Sequence, residues 1–189
     1  MTIYLKDFVI TGRFGPVELG MTIDQAFEFL GEPEGNADLE NGHCIATYAY
    51  YEFFYLKENR ILYGIQNDHL ATFPNVKTGR VNNKRDICFT NNKFTVDIWF
   101  LKINRYLTLK QVMNSLEKEG VDFVYEILHT DYKNIRLKSG VQIDFDDNSG
   151  LCFYHEDTNS WSYADKIEHE YDHILSGIRH FDLNLVQEA

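Results

Sequence analysis

Cysteine, proline and tryptophan are scarce in this chain of 189 residues, with three, three and two copies, and 18 lysines and arginines face 29 acids. Cys44, Cys88 and Cys152 form an odd set without CxxC spacing. That argues against a disulfide framework and reads as reduced thiols of a cytoplasmic protein. The shortage of bases leaves a net charge of -11. Nucleic-acid binding needs a basic footprint, and anionic membrane surfaces attract one, so both are disfavoured. No run of 18 apolar residues occurs, and Lys6 and Asp7 interrupt the first ten positions. Neither a membrane span nor a signal peptide is expected. There is no glycine-rich phosphate loop and no GxSxG. His43 and Cys44 are strand neighbours that point to opposite faces, so they are no nucleophile–base pair. No motif implies a cofactor.

Aromatic residues are abundant instead. Fourteen phenylalanines and twelve tyrosines bring the aromatic share to 15%, which favours sheet and surfaces that grip a partner. The organising stretch is Gly20 to Pro33. Thr22 and Gln25 have capping-box spacing, Ile23, Ala26, Phe27 and Leu30 recur at helical spacing, and Gly31 and Pro33 stop the helix. Thr108 and Gln111 repeat the device, followed by Val112, Met113 and Leu116 and closed by Gly120.

Taken in order, Ile3 to Ile10 and Phe14 to Leu19 read as strands. His43 to Leu56 is one long β-branched and aromatic run, turned by Lys57-Glu58-Asn59 into Arg60 to Gln66. Residues 68–93 are turn-rich and carry most of the local positive charge. Lys93 to Ile103 alternates, with Phe94, Val96, Ile98 and Phe100 opposite Thr95, Asp97, Trp99 and Leu101. Strands are expected at Phe123 to Leu128 and Ile135 to Lys138. A hairpin is expected from Val141–Asp146 through Asp147-Asn148-Ser149-Gly150 to Leu151–Glu156, and a last helix from Tyr163 to Ser176.

The cap recurs 86 residues on (22 to 108), and Tyr51–Tyr55 with Ile61–Tyr63 map 90 residues on (51 to 141) to Val141–Phe145 and Leu151–Phe153. The reading is an α+β protein of two related units, 1–92 and 93–189, each a helix on an antiparallel sheet. The two units can also share one core. Gly20-Met21-Thr22, Leu30-Gly31 and Pro33, followed by an aromatic hairpin, resemble the unit of the β-lactamase-inhibitor-protein fold. SmpA/OmlA-type lipoproteins carry a similar unit. The resemblance covers residues 14–67 well and 103–156 poorly, since the second copy lacks both the Gly-Met and the Leu-Gly-x-Pro. It implies a helix on one face of an antiparallel sheet, the other face open to bind a protein, and a binding module rather than an enzyme.

Val141, Ile143 and Phe145 face the core by alternation, which turns Gln142, Asp144 and Asp146 outward. Transferred to the first hairpin, Tyr51, Phe53 and Tyr55 are inward, and Tyr48, Tyr50, Glu52 and Phe54 outward, with Tyr154 and Trp99 joining them. Aromatic anchors among acids suit a basic protein partner. A dimer mate or the last helix covering the same face is the rival reading.

His169-Glu170-Tyr171-Asp172-His173 matches HExxH, in which two histidines one turn apart hold zinc and the glutamate activates water. Gly177 and His180 stand near where a third ligand is sometimes found. Against it, Tyr163, Ile167, Tyr171, Ile174 and Ile178 would form the docking stripe and put both histidines on the solvated side. Three functions remain: a non-enzymatic immunity or inhibitor protein that occludes a basic toxin or enzyme, a zinc-dependent hydrolase using His169, Glu170 and His173, and a dimerising structural module.

Overall fold

Both capping boxes close as their spacing demands. In this computed structural model, which describes residues 1–68, 70, 90–99, 107–128, 133–147, 152–155, 157–163 and 165–187, the Gln25 amide donates to Thr22 Oγ1 at 3.3 Å and the Thr22 amide to Gln25 Oε1 at 2.9 Å. The Gln111 amide and Thr108 Oγ1 meet at 3.4 Å, and the Thr108 amide and Gln111 Oε1 at 3.0 Å. Each box satisfies two amides that an open helix end would leave unpaired.

The amino-terminal strand expected over Ile3 to Ile10 divides. Thr2–Tyr4 (β1) lies parallel to Thr95–Asp97 (β6), and Leu5–Thr11 becomes a helix, α1. Leu5, Phe8 and Val9 are its buried residues, at i, i+3 and i+4, and Gly12 ends it at φ 76°. That spacing and that glycine are helix signals which outweigh the β-branched content. Phe14 to Leu19 is not a strand either. Phe14 and Val17 form an isolated bridge around Gly15-Pro16, and both side chains are fully buried. The second helix, α2, is Ile23–Leu30.

Four antiparallel strands follow: β2 (Gly35–Asp38), β3 (His43–Tyr48), β4 (Tyr51–Leu56) and β5 (Leu62–Asn67). The expected long run from His43 is therefore broken by a two-residue turn at Ala49-Tyr50, with Ala49 at φ 50°. Tyr48 pairs with Tyr51, so both lie on one face. Beyond β6, residues 100–103 of the expected alternating strand lie outside the described residues, as do 69 and 71–89 of the turn-rich segment. The third helix, α3, is Leu109–Lys118. It leads into β7 (Phe123–Ile127), β8 (Lys133–Leu137) and β9 (Gln142–Asp146).

Two expectations fail in the last third. Cys152–His155 (β10) pairs with Ser160–Tyr163 (β11), not with β9, so the second hairpin does not exist as drawn. The helix expected from Tyr163 to Ser176 is absent: Glu170–Asp172 is one 3-10 turn, and Ile174–Phe181 is a strand, β12. The slot beside β5 explains the change. β12 lies between β5 and β9, where neighbours on both sides take its backbone donors and acceptors. A short α-helix, α4 (Asn184–Gln187), ends the described chain.

Among the described residues the main sheet has eight strands in the order β2-β3-β4-β5-β12-β9-β8-β7, antiparallel throughout. The architecture is α+β. Ala46, Phe53 and Ile65 stand in one cross-strand row, and Ile135, Ile143 and Ile178 in another. All six side chains are fully or almost fully buried. Each helix start is tied to a strand in the same way. Thr22 bridges Ile61, and Thr108 bridges Ile174. The Leu62 amide donates to the Met21 carbonyl, and the Leu175 amide to the Leu107 carbonyl; Ile23 donates to Arg60, and Leu109 to His173. The strand partners stand 113 residues apart (61 to 174) and the helix partners 86 (22 to 108). The equivalence of Ile61–Tyr63 with Leu151–Phe153 is thus corrected: the strand in that place is β12.

Residues from both halves of the chain form one buried cluster. Its densest part is aromatic, with Phe14 edge-on to Phe53 at 5.5 Å and Tyr48 edge-on to Phe53 at 5.5 Å. Removing that ring leaves a cavity as well as losing transfer energy, so Phe53→Ala should lower unfolding free energy by about 3–5 kcal/mol in urea melts.

His180 lies on the helix side, clamped by two glycines. Its Nδ1 is 3.0 Å from the Gly12 carbonyl oxygen, and its ring meets Phe8 edge-on. A Cβ on Gly12 would fall 2.7 Å from His180 Cε1, and one on Gly140 3.0 Å from Nε2. Burial holds the imidazole below its ordinary pKa, opposed by the Gly12 hydrogen bond and by Asp182. A folded-state pKa below the unfolded one means that the unfolded chain binds the extra proton first. Stability from neutral burial is then complete above about pH 6.5 and falls as pH drops through that value. Denaturant melts should show wild type losing more stability on acidification than His180→Gln; parallel losses would refute it.

Candidate functional site

One face of the eight-stranded sheet carries the helices and the core; the opposite face carries the candidate residues. Strand alternation assigns them. Cys44, Ala46, Tyr48, Tyr51, Phe53 and Tyr55 are buried on the helix side. Glu52, Phe54, Asp144 and Asp146 share the other face, as expected, and are partly exposed. Tyr48 does not join them. It is fully buried and donates to the Gly31 carbonyl, because the turn at Ala49-Tyr50 restarts the alternation. Burial raises its phenol pKa, with Glu32 adding to the effect. Tyr50 occupies the turn itself and is 38% exposed.

Trp99 lies elsewhere. It follows β6, is half-buried against the core, and has Lys6 Nζ 5.7 Å from its ring centroid. Tyr154 belongs to β10, outside the main sheet, and its side chain is outside the description.

The outward face has two unlike halves. Over β4 and β5 it is aromatic. Phe54, Tyr63 and Phe181 surround one another, with ring centroids 5.4 Å apart for Phe54–Phe181, 6.3 Å for Phe54–Tyr63 and 6.2 Å for Tyr63–Phe181. Gly64 makes this possible. A Cβ there would fall 2.2 Å from Phe181 Cε1, so the ring lies directly on bare backbone. Tyr63 and Phe181 were missed in the sequence. A register shift at Phe54/Tyr55 turns Tyr63 outward, and Phe181 sits in a segment read as lying beyond a helix.

Over β12, β9 and β8 the same face is polar. Arg179 Nε lies 3.1 Å from Asp144 Oδ2 and 3.0 Å from Gln142 Oε1, and Asn134 Nδ2 donates to Asp144 Oδ1 at 2.8 Å. At the centre Gln66 pairs with Arg179 across the strands and donates to Glu52 Oε2 at 2.6 Å. Burial pushes the Asp144 carboxyl up, while Arg179 and Asn134 pull it down. A cleft of about 450 Å³ opens here, lined by Gln66, Asn67, Asp68, Leu128, Asp144, Asp146, Ser176, Gly177, Ile178 and Arg179.

The HExxH residues have a different setting from the one the motif requires. Residues 170–172 make a 3-10 turn, so His169 and His173 are not one α-helical turn apart. His169 is exposed, and His173 is buried with Nε2 3.1 Å from the Ile167 carbonyl oxygen, not solvated as expected. Glu170 accepts from the Tyr125 hydroxyl at 3.1 Å and lies 3.9 Å from Lys133 Nζ. Burial and Glu170 push the Tyr125 phenol up to about 12. His180 faces the other way, against Gly12. Among the described residues no three His, Cys, Asp or Glu side chains gather where they could hold a metal ion. Among those residues, too, no helix is long and apolar enough to cross a membrane. No family model, curated protein or solved structure matches the chain.

The Arg179–Asp144 pair is asymmetric. The Asp144 side chain is 15% exposed and that of Arg179 37%. Losing Arg179 strands a buried carboxylate, whereas losing the carboxylate leaves a guanidinium that reaches water. Arg179→Met should therefore cost about 2–3 kcal/mol and Asp144→Asn under about 1 kcal/mol, read from denaturant midpoints at neutral pH.

Proposed function

We propose that this protein is a stoichiometric protein-binding module, without catalytic chemistry of its own, that holds a basic protein against the outward face of its sheet. Its two halves are taken as related units of the β-lactamase-inhibitor-protein type, 1–92 and 93–189, joined through β5 and β12. That relation is supported by the repeated helix-to-strand ties at Thr22 and Thr108. The observation that carries the function is the contrast between the faces. One is packed under α1, α2 and α3. The other combines an aromatic cluster, partly exposed at Phe54 and Phe181 and backed by the buried Tyr63, with Glu52, Asp68, Asp144, Asp146 and Glu126, against Arg136 and Arg179. Aromatic side chains supply anchoring area, and the excess of carboxylates favours encounter with a cationic surface.

The concrete version is an acidic immunity or inhibitor protein, working in the cytoplasm, that occludes a basic toxin or enzyme. Buried Cys44 as a free thiol is compatible with that compartment. No observation favours the hydrolase reading at His169, Glu170 and His173, and a dimer through the same face is an outcome of the test below.

The test captures the partner from the source cell and measures its affinity for purified variants. Phe54→Ala should weaken binding by about 100-fold, as loss of an anchor does, yet cost only about 1–2 kcal/mol of stability, because Phe54 is only partly buried. Glu52→Lys should slow association and flatten its salt dependence. Unchanged affinity in both variants refutes the reading. A concentration-dependent dimer that Phe54→Ala abolishes replaces it with the dimerising module.

A further inference from the structure

The two halves of the outward face correspond position by position, and only one of them is filled. Ile61 and Ile174 occupy equivalent places 113 residues apart, and Phe53 and Ile143 equivalent places 90 apart. The same intervals set Gly64 opposite Gly177, Tyr63 opposite Ser176, Phe54 opposite Asp144, and Asp68 opposite Phe181. The registers agree: Gln66 pairs with Arg179 at the centre, Ile178 with Asn67 and His180 with Ile65 symmetrically about it. Both glycines face outward on the two central strands, and each keeps its backbone bare. In the first half three rings close over Gly64, the Phe181 ring lying directly on it. In the second half the corresponding side chains are Asp144, Ser176 and Asp68, all too short to fill the space, and the cleft of about 450 Å³ lies there.

We propose that the cleft over Gly177 is a socket for an arginine side chain of the basic protein partner. The inference rests on the protein-binding reading of this face and names the group it grips. The lining residues include three carboxylates, of Asp68, Asp144 and Asp146, and one guanidinium, of Arg179, which Asp144 and Gln142 hold in place. Behind Asp144, outside the lining itself, stands Asn134. Asn134 is fully buried and spends its amide nitrogen on Asp144, while its Oδ1 has no hydrogen-bond partner among the described residues. A lining richer in carboxylates than in cations favours a cationic side chain, and the weaker hydration of a guanidinium suits it to a half-enclosed site better than an ammonium. The aromatic cluster next door supplies the apolar rest of the contact.

The test uses the full chain, ¹⁵N-labelled, titrated with N-acetyl-arginine-methylamide and with the neutral citrulline analogue of the same shape. The arginine probe should shift the amides of Asp68, Gly177 and Arg179, and citrulline should bind about tenfold more weakly, since it lacks the charge. Asp68→Phe, which gives the second half the ring that the first half carries, should abolish the shifts while leaving the melting temperature near that of wild type. Asp68→Asn keeps the shape and should weaken the arginine probe alone. Equal shifts from both probes, or shifts that survive Asp68→Phe, overturn the socket. Hydrogen exchange with the captured partner separates the two claims. Protection of β4, β5 and β12 without an arginine response refutes the socket and keeps the binding face, whereas no protection there refutes both.

Discussion

The antiparallel contact between β5 and β12 is the junction on which the whole molecule depends. Without it the sheet would be two four-stranded sheets, each ending in a raw edge of unpaired backbone donors and acceptors. With it, the row through Phe53 and Ile65 runs on into His180, the row through Ile143 and Ile178 runs on into Asn67, and helices from both halves of the chain cover one continuous core. The contact is short, four residue pairs from Gly64–Phe181 to Asn67–Ile178. Its strength comes from what flanks it. On the helix side Ile65, Asn67 and Ile178 are buried and His180 is clamped by Gly12 and Gly140; on the other side Phe181 lies on Gly64 and Gln66 stands beside Arg179. The same four pairs thus hold the core together and set the two halves of the outward face side by side.

Helix anchoring follows from the same junction. Thr22 bridges Ile61, just before β5, and Thr108 bridges Ile174, the first residue of β12, so α2 is tied to β5 and α3 to β12 at their amino termini. Such a tie fixes the direction as well as the position of each helix, because the first-turn amides Ile23 and Leu109 are spent on carbonyls of the adjoining strand segment. His173 gains its role here. Its carbonyl closes the start of α3 as that of Arg60 closes α2, and its ring turns inward to the Ile167 carbonyl. The spacing that imitates a zinc signature is the spacing of a helix tie and an exposed turn.

Local chemistry was legible in the sequence wherever it acted alone. The caps at Thr22 and Thr108, the extended character of 43–56, though not the turn at Ala49-Tyr50 that divides it, the strands β5 and β7 to β9, and the inward set Tyr51, Phe53, Val141 and Ile143 all follow from short-range spacing. What was hidden depended on distant partners. Tyr163, Ile167, Tyr171, Ile174 and Ile178 have helical spacing, yet 174–181 finds two strands waiting on either side and takes the slot between them. Tyr48 was misplaced by one turn residue, since alternation carries no information across a turn. The α1 segment shows the reverse error. Its spacing and its terminal glycine were helical all along, but β-branched content was given more weight.

The candidate face shows the same division. Glu52, Phe54, Asp144 and Asp146 could be placed by parity within a strand, and the structure puts them on one surface. Tyr63, Phe181 and Arg179 could not, since their positions depend on a register shift and on the β5–β12 pairing. Those three decide the character of the surface. Phe181 turns the first half into a closed aromatic patch, and Arg179 fixes Asp144 in the second. The asymmetry between the halves is therefore a product of a few side chains on a backbone that treats the two alike. The central pairing and the buried rows are common to both halves; the outward residues at positions 54, 63, 68, 144, 176 and 181 differ between them and set what each half of the face can hold.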